Sequence, residues 1–260
     1  MTMPGKSKPF NFEDHFSGHS EKYAQSRPRY PDEVYAYLAS IAPGRSLAWD
    51  CGTGSGQAAI GLAKYFRNVY ATDASAEQIS HAYPQENVEY HAEPAEHVSL
   101  RDTSVDLVTV AVAIHWFNFD EFYREVKRVL KPDGVLAAWT YNAVEISPEI
   151  DSLVWHYYRD IVGAYWPERI RYIEQRYETI PFPFEEINPP SFSMAIHWNL
   201  IQLAGFLDSW SATQRYKAQE GQHPLELIWD KLAAAWGDEK ETRLVRWPLH
   251  FRIGRNASGT

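Results

Sequence analysis

The sequence predicts an α/β fold, a mostly parallel sheet covered by helices on both faces, from three observations. From residue 45 to 141, short β-branched or apolar runs alternate with helix-like stretches. Where the first run meets the first helix, Trp49-Asp50-Cys51-Gly52-Thr53-Gly54-Ser55-Gly56 carries an acid and then three glycines at alternate positions. Near the other end of the chain, Arg243 to Ile253 alternates polar with apolar residues, as an exposed antiparallel edge strand does.

The strands expected in order are Ser46 to Asp50, Asn68 to Thr72, Val88 to His91, Val105 to Val110 and Val135 to Tyr141, each closed by a glycine, Asp/Ser or proline signal. Gln57 to Phe66 reads as a helix opening just after Gly56. Asp120 to Leu130 reads as another, with Phe122, Val126, Val129 and Leu130 on one face before Pro132 and Gly134 stop it. Ser147 to Tyr177 is expected to be an aromatic, largely helical insertion. The connector Ile180 to Pro190 is too rich in proline to continue it. Phe192 to Trp198 suits a sixth strand, and helices follow to about Trp236. The expected division is an N-terminal segment over 1–44, a core over 45–142, an insertion or lid over 143–190 and a sheet-completing part over 191–260, all in one structural domain.

A chain of 260 residues with 45% hydrophobic and 23% charged residues suits a globular protein. Its aromatic share of 15% includes ten tryptophans, which points to aromatic pocket walls as well as a bulky core. The formal net charge of −9 and the lack of a basic stripe argue against a nucleic-acid partner. A lone cysteine, Cys51, excludes an intrachain disulfide framework and a cysteine-based zinc cluster, and no metal site is expected. The longest apolar run, Leu107 to Ile114, falls far short of the roughly 20 residues of a membrane helix, and MTMPGKSKPF lacks the apolar stretch of a signal peptide. These features lead us to expect a soluble cytoplasmic protein.

Gly54-x-Gly56-x-x-Ala59 also satisfies the fingerprint that lets a backbone approach a dinucleotide pyrophosphate, which would make the chain an NAD(P)-dependent oxidoreductase. Asp50 argues against that alternative, because a carboxylate two residues before the turn repels phosphates and attracts a cofactor carrying ammonium and sulfonium charges. The glycines then allow close backbone approach to that cofactor's amino-acid end. Asp73, ending the second strand, suits either a bidentate contact to ribose hydroxyls or an N-cap for the helix beginning near Ser75.

With these residues in place, the stretch Ser46 to Tyr141 resembles the class I S-adenosylmethionine-dependent methyltransferases, and the fuller chain is similar to the branch containing trans-aconitate methyltransferase. The resemblance implies a seven-stranded sheet with an antiparallel last strand, an N-terminal helical cover and a helical insertion between strands five and six. It implies S-adenosylmethionine as cofactor and S-adenosylhomocysteine as product. Phe16, Tyr23 and Arg27 match the segment that closes over the cofactor, with Arg27 near the methionyl carboxylate or else an ordinary surface cation. Asp50, Gly52, Gly54 and Gly56 match the methionine-binding motif; Asp73 and Ala74, with Gln78 close behind, match the ribose motif. Many relatives have Gly-Asp-Ala after the third strand, where this chain reads Glu93-Pro94-Ala95-Glu96. Pro94 has no side-chain acceptor, so adenine recognition falls to Ala95 and Glu96. Ala111, Val112, His115 and Trp116 match the loop lying between cofactor and acceptor.

Methyl transfer from a sulfonium is an in-line displacement, so the protein mainly aligns the reactants and excludes water. An acceptor carboxylate needs no base; a hydroxyl or protonated amine needs one, for which His115 is the candidate, against the alternative of a packed, hydrogen-bonded imidazole. Trp116 either walls the cofactor or fills core. Tyr165, Arg169, Tyr172 and Arg176 recur at helical spacing, facing an anionic acceptor or forming a solvated helix flank. The expected function is methylation of a small molecule, with O-methylation of a carboxylate favoured. A protein that binds the cofactor without transferring its methyl is the second alternative.

Overall fold

Runs of Val, Leu, Ala and Trp that can be buried on both faces form the middle of the sheet. The computed structural model describes residues 28–142 and 144–257. Its elements are α1 (Asp32–Ile41), β1 (Leu47–Cys51), α2 (Gln57–Ala63), β2 (Asn68–Asp73), α3 (Ala76–Ser80), β3 (Val88–Ala92), β4 (Val105–Ala111), α4 (Phe119–Val129) and β5 (Leu130–Tyr141). They continue with α5 (Pro148–His156), α6 (Arg171–Glu174), β6 (Glu185–Glu186), β7 (Phe192–Trp198), α7 (Leu200–Asp208), α8 (Ser211–Glu220), α9 (Trp229–Trp236) and β8 (Arg243–Arg255). The first four strands and β7 lie within a residue of the expected runs.

The strand order is β3-β2-β1-β4-β5-β8-β6, and β7 also pairs with β8. β1 to β5 pair in parallel with one another, and β8 runs antiparallel to both β5 and β6. The fold is therefore the expected mixed α/β sheet, with one strand more than expected. Helix α4 covers it with Phe122, Val126 and Val129 buried, carries Asp120 and Glu121 in its first turn and ends on Lys127 and Arg128, a charge order that suits the helix dipole.

Three local expectations are corrected. β8 is not an edge strand: it lies between β5 and β6, because the two-residue β6 within the proline-rich connector adds to its free side. The stretch from Ser147 to Tyr177 is not one helical run. After α5 come a π-helical turn at Tyr157–Ile161 and 3-10 turns at Gly163–Tyr165 and Glu168–Ile170, and Pro167 denies any continuous ladder across them. The strand expected at Val135 begins at Leu130, where a register irregularity lets Leu130 pair with Val105.

The described residues fall into two compact units. One holds 29–142, 168–195 and 246–257, and so the parallel sheet. The other holds Pro28, 144–167 and 196–245, built around buried Tyr157, Trp198, Leu203 and Trp236. In it the Tyr157 hydroxyl meets Thr213 Oγ1 at 2.8 Å, and α7 opens with a reciprocal capping box between Asn199 and Gln202. No helix among the described residues is long and apolar enough to cross a membrane.

Candidate functional site

Strand order reverses at β1: the chain moves outward to β2 and β3, then returns to place β4 on the other side of β1. Loops at the carboxyl ends of these two strands diverge, opening the crevice where ligands bind in such sheets. The glycine-rich turn follows β1, Asp73 ends β2, Pro94 to Glu96 follow β3, and Val112 to Phe117 follow β4, so the topology brings four of the predicted segments to one edge.

Gly52, Gly54 and Gly56 all have left-handed backbones, with φ of 68°, 55° and 87°. Their reasons differ. A Cβ on Gly52 would strike Ala113 and Phe117, and one on Gly56 would strike the Tyr90 ring, so these two allow the loops to pack on one another. Among the described residues a Cβ on Gly54 would meet only Gln78 Oε1, at 3.9 Å, so within them this glycine leaves an open cradle. The Asp73 carboxylate ties the turn down, accepting from Gly54 N and Ser75 N at 2.9 Å each. The cap of α3 is Ser75, whose Oγ accepts from Gln78 N, and not Asp73. Ala74 and Gln78 lie exposed beside the cradle.

Asp50 is fully buried, and its two oxygens accept the Thr53 and Thr109 hydroxyls at 2.6 and 2.8 Å. Burial pushes its pKa up to about 6, against the pull of these hydrogen bonds. Its charge thus stands behind the glycine turn while its oxygens organise the turn's floor. After β3, Ala95 is buried in the core and Glu96 Oε1 accepts from Asn118 N at 2.8 Å, tying this loop to the start of α4.

The loop after β4 carries the strongest local anomaly. Val112 adopts φ 54°, a genuine outlier for a β-branched residue, and its N–H is held by Trp139 O at 2.9 Å. Ala111 and Val112 line the turn half-buried, and Trp116 beyond it is 52% exposed, with its ring 4.8 Å from that of His115. His115 itself is buried, with Nδ1 2.8 Å from the Tyr177 hydroxyl. Burial first, and the charge of Arg169 second, lower its pKa to about 4. Arg169 Nη1 donates to the carbonyls of His115 and Phe117 at 3.0 Å each, clamping the loop.

Tyr165 belongs to the other unit, where its hydroxyl donates to Glu220 at 2.6 Å. The expected helical stripe through Tyr165, Arg169, Tyr172 and Arg176 does not form, because turns of different type separate its members. Phe16, Tyr23 and Arg27 lie outside the described residues. Sequence reasoning missed Tyr177, Thr140 and Arg252. The last donates to the carbonyls of Tyr177, Glu178 and Ile180 and pairs with Glu186. An arginine facing outward on an expected edge strand gave no signal of that role.

A family model described as a methyltransferase domain matches residues 49–138. A Dictyostelium discoideum chain assigned as a methyltransferase is 37% identical over 263 residues, covering 98% of this chain and 99% of its own length. A Saccharomyces cerevisiae chain assigned as an S-adenosylmethionine-dependent methyltransferase is 30% identical over 171 residues, covering 61% of this chain and 59% of its own. Among solved structures, a chain from Anaeromyxobacter dehalogenans assigned as a type II methyltransferase is similar at a TM-score of 0.85 with 39% identity, covering 90% of this chain and 99% of that one.

Proposed function

Because this chain belongs to the class I S-adenosylmethionine-dependent methyltransferases, we propose that it moves the cofactor's methyl group onto a carboxylate oxygen of a small molecule, beside His115 and Trp116. The observation that supports this acceptor is the setting of His115. It is held neutral by burial and by the nearby Arg169 charge, so the loop after β4 presents a positive field without a cationic imidazole. An anion is drawn to such a field, whereas a protonated amine is repelled by it. An ionised carboxylate also needs no proton removed before attack.

The residues at the carboxyl edge fit the cofactor. Open space at Gly54 admits its backbone-hugging end, and the buried Asp50 carboxylate supplies charge opposite an ammonium. The outer lone pairs of Asp73 suit ribose hydroxyls, with Ala74 and Gln78 alongside, and Ala95 and Glu96, in the loop after β3, would receive the adenine. When bound, the cofactor supplies an electrophilic methyl on a sulfonium. The half-exposed Trp116 ring shields that region from water, and the strained Val112 turn fixes the loop that orients the acceptor.

The test is label transfer from methyl-labelled S-adenosylmethionine to a panel of small carboxylic acids and their amide and alcohol analogues. The expected product is a methyl ester, which releases its label as methanol in mild alkali. An alkali-stable product would replace the carboxylate with another acceptor. Tight S-adenosylhomocysteine binding without product from the panel would favour a cofactor-binding protein that does not transfer.

A further inference from the structure

We propose that Tyr177 locks His115 in the tautomer protonated at Nε2, so that this histidine donates a hydrogen bond to an acceptor that arrives already ionised and takes no proton from it. The inference deepens the carboxylate reading above and rests on it for the acceptor, while the tautomer itself rests only on the protein.

Two arrangements can account for the 2.8 Å contact between His115 Nδ1 and the Tyr177 hydroxyl. If Nδ1–H donates to the phenol oxygen, Nε2 keeps a lone pair and can act as a base, but the phenol hydrogen must then find another acceptor. Tyr177 has no exposure to water, so that acceptor must be protein. Thr140 and Tyr141 both act on the phenol, yet Thr140 Oγ1 completes no hydrogen bond of ordinary geometry, and among the described residues the Tyr177 hydroxyl bonds His115 alone. This arrangement therefore leaves a buried O–H unspent. If instead the phenol donates to Nδ1, its hydrogen is satisfied by the better acceptor, an sp2 nitrogen, and the histidine proton resides on Nε2. Among the described residues Nε2 has no hydrogen-bond partner, so its N–H is free for a ligand.

The backbone is arranged to hold Tyr177 at this spot. Arg176 and Tyr177 are consecutive left-handed residues, at φ 54° and 63°, which non-glycine residues adopt only when their surroundings impose it. Here the surroundings do so. Tyr177 N donates to Tyr172 O at 2.8 Å, and Arg252 gathers the carbonyls of Tyr177, Glu178 and Ile180 at 2.9 to 3.2 Å. On the other side, the Arg169 clamp fixes the backbone of His115. Both partners of the bond are thus positioned by separate arginines. Neither Tyr177 nor Thr140 need touch the reacting atoms, and Tyr177 is a positioning residue.

The experiment is nitrogen NMR on the full chain labelled with 15N-histidine and loaded with S-adenosylhomocysteine at neutral pH, the His115 signals being identified by their loss in His115→Gln. The expected result is a pyridine-like Nδ1 and a pyrrole-like Nε2. Thr140→Val is expected to leave these shifts in place, and Tyr177→Phe to move Nδ1 towards the pyrrole range as the tautomers mix. A pyrrole-like Nδ1 in the native chain, or a switch of tautomer in Thr140→Val, would overturn the proposal. The native spectrum and the threonine variant decide the matter even if Tyr177→Phe does not fold. An alkali-stable methylated product alongside the expected tautomer would sink the carboxylate reading alone.

Discussion

Asp50 opposes folding from the position where the proposed function needs its charge. Its pKa is 3.8 in an open chain and about 6 when folded, so the folded protein prefers it protonated. Between these values the folded state holds the proton longer than the unfolded one, and this residue's contribution to stability falls as pH rises from about 4 to 6. Above pH 6 the residual cost is about 3 kcal/mol. Asp50→Asn is expected to stabilise the ligand-free protein at pH 7 by up to about 3 kcal/mol, with little gain at pH 4, in denaturant titrations. The same change is expected to weaken S-adenosylmethionine binding at least tenfold by calorimetry; unchanged affinity would remove the carboxylate from the site. The glycines separate in a similar way. Gly54→Ala is expected to cost about 1–2 kcal/mol, the penalty of a left-handed backbone alone, and to impair binding by filling the cradle. Gly52→Ala adds a collision with Ala113 and is expected to cost about 1–3 kcal/mol more, measured by the same unfolding titration.

Among the elements, β8 decides more than its alternating sequence suggests. It pairs with β5 through Val135 to Tyr141 and with β6 through Glu185 and Glu186, so its Arg252 sits inside the sheet's hydrogen-bonded frame and not at its rim. From there it collects three carbonyls of the turn that carries Tyr177. Arg252→Ala is expected to destabilise the chain by about 2–3 kcal/mol, since several charge-assisted hydrogen bonds are lost together. Because the turn also positions His115, the variant is expected to disturb the His115 nitrogen shifts. A stability loss with those shifts unmoved would confine Arg252 to the frame. Strands β1 to β4 were legible because each is a short apolar run closed by a turn signal. The insertion was not, because its aromatic residues carry no period that distinguishes an α-helix from the π and 3-10 turns it adopts, and Pro167 alone does not say which side of it remains helical.

Across the whole molecule, two buried groups impose opposite pH dependences in overlapping windows. His115 is depressed from 6.5 to about 4, so the unfolded chain takes up its proton first and the contribution of His115 to stability is lost as pH falls from 6.5 towards 4. Asp50 adds stability over nearly the same fall. The native chain is expected to show little net change from these two groups between pH 6.5 and 4. His115→Gln is expected to become more stable towards pH 4, and Asp50→Asn less, in parallel unfolding curves. If both variants keep the native profile, neither group titrates as its burial implies. The sequence by itself determined the order of the parallel strands' segments, the acid-and-glycine turn and the family, because these depend on contiguous residues whose spacing is the chemistry. Only the tertiary structure decided which glycine faces open space among the described residues, that β8 is an inner strand, and that a tyrosine 62 residues from His115 meets its Nδ1. Such relations are contacts between segments far apart in the chain, and no local pattern encodes a distance across a folded sheet.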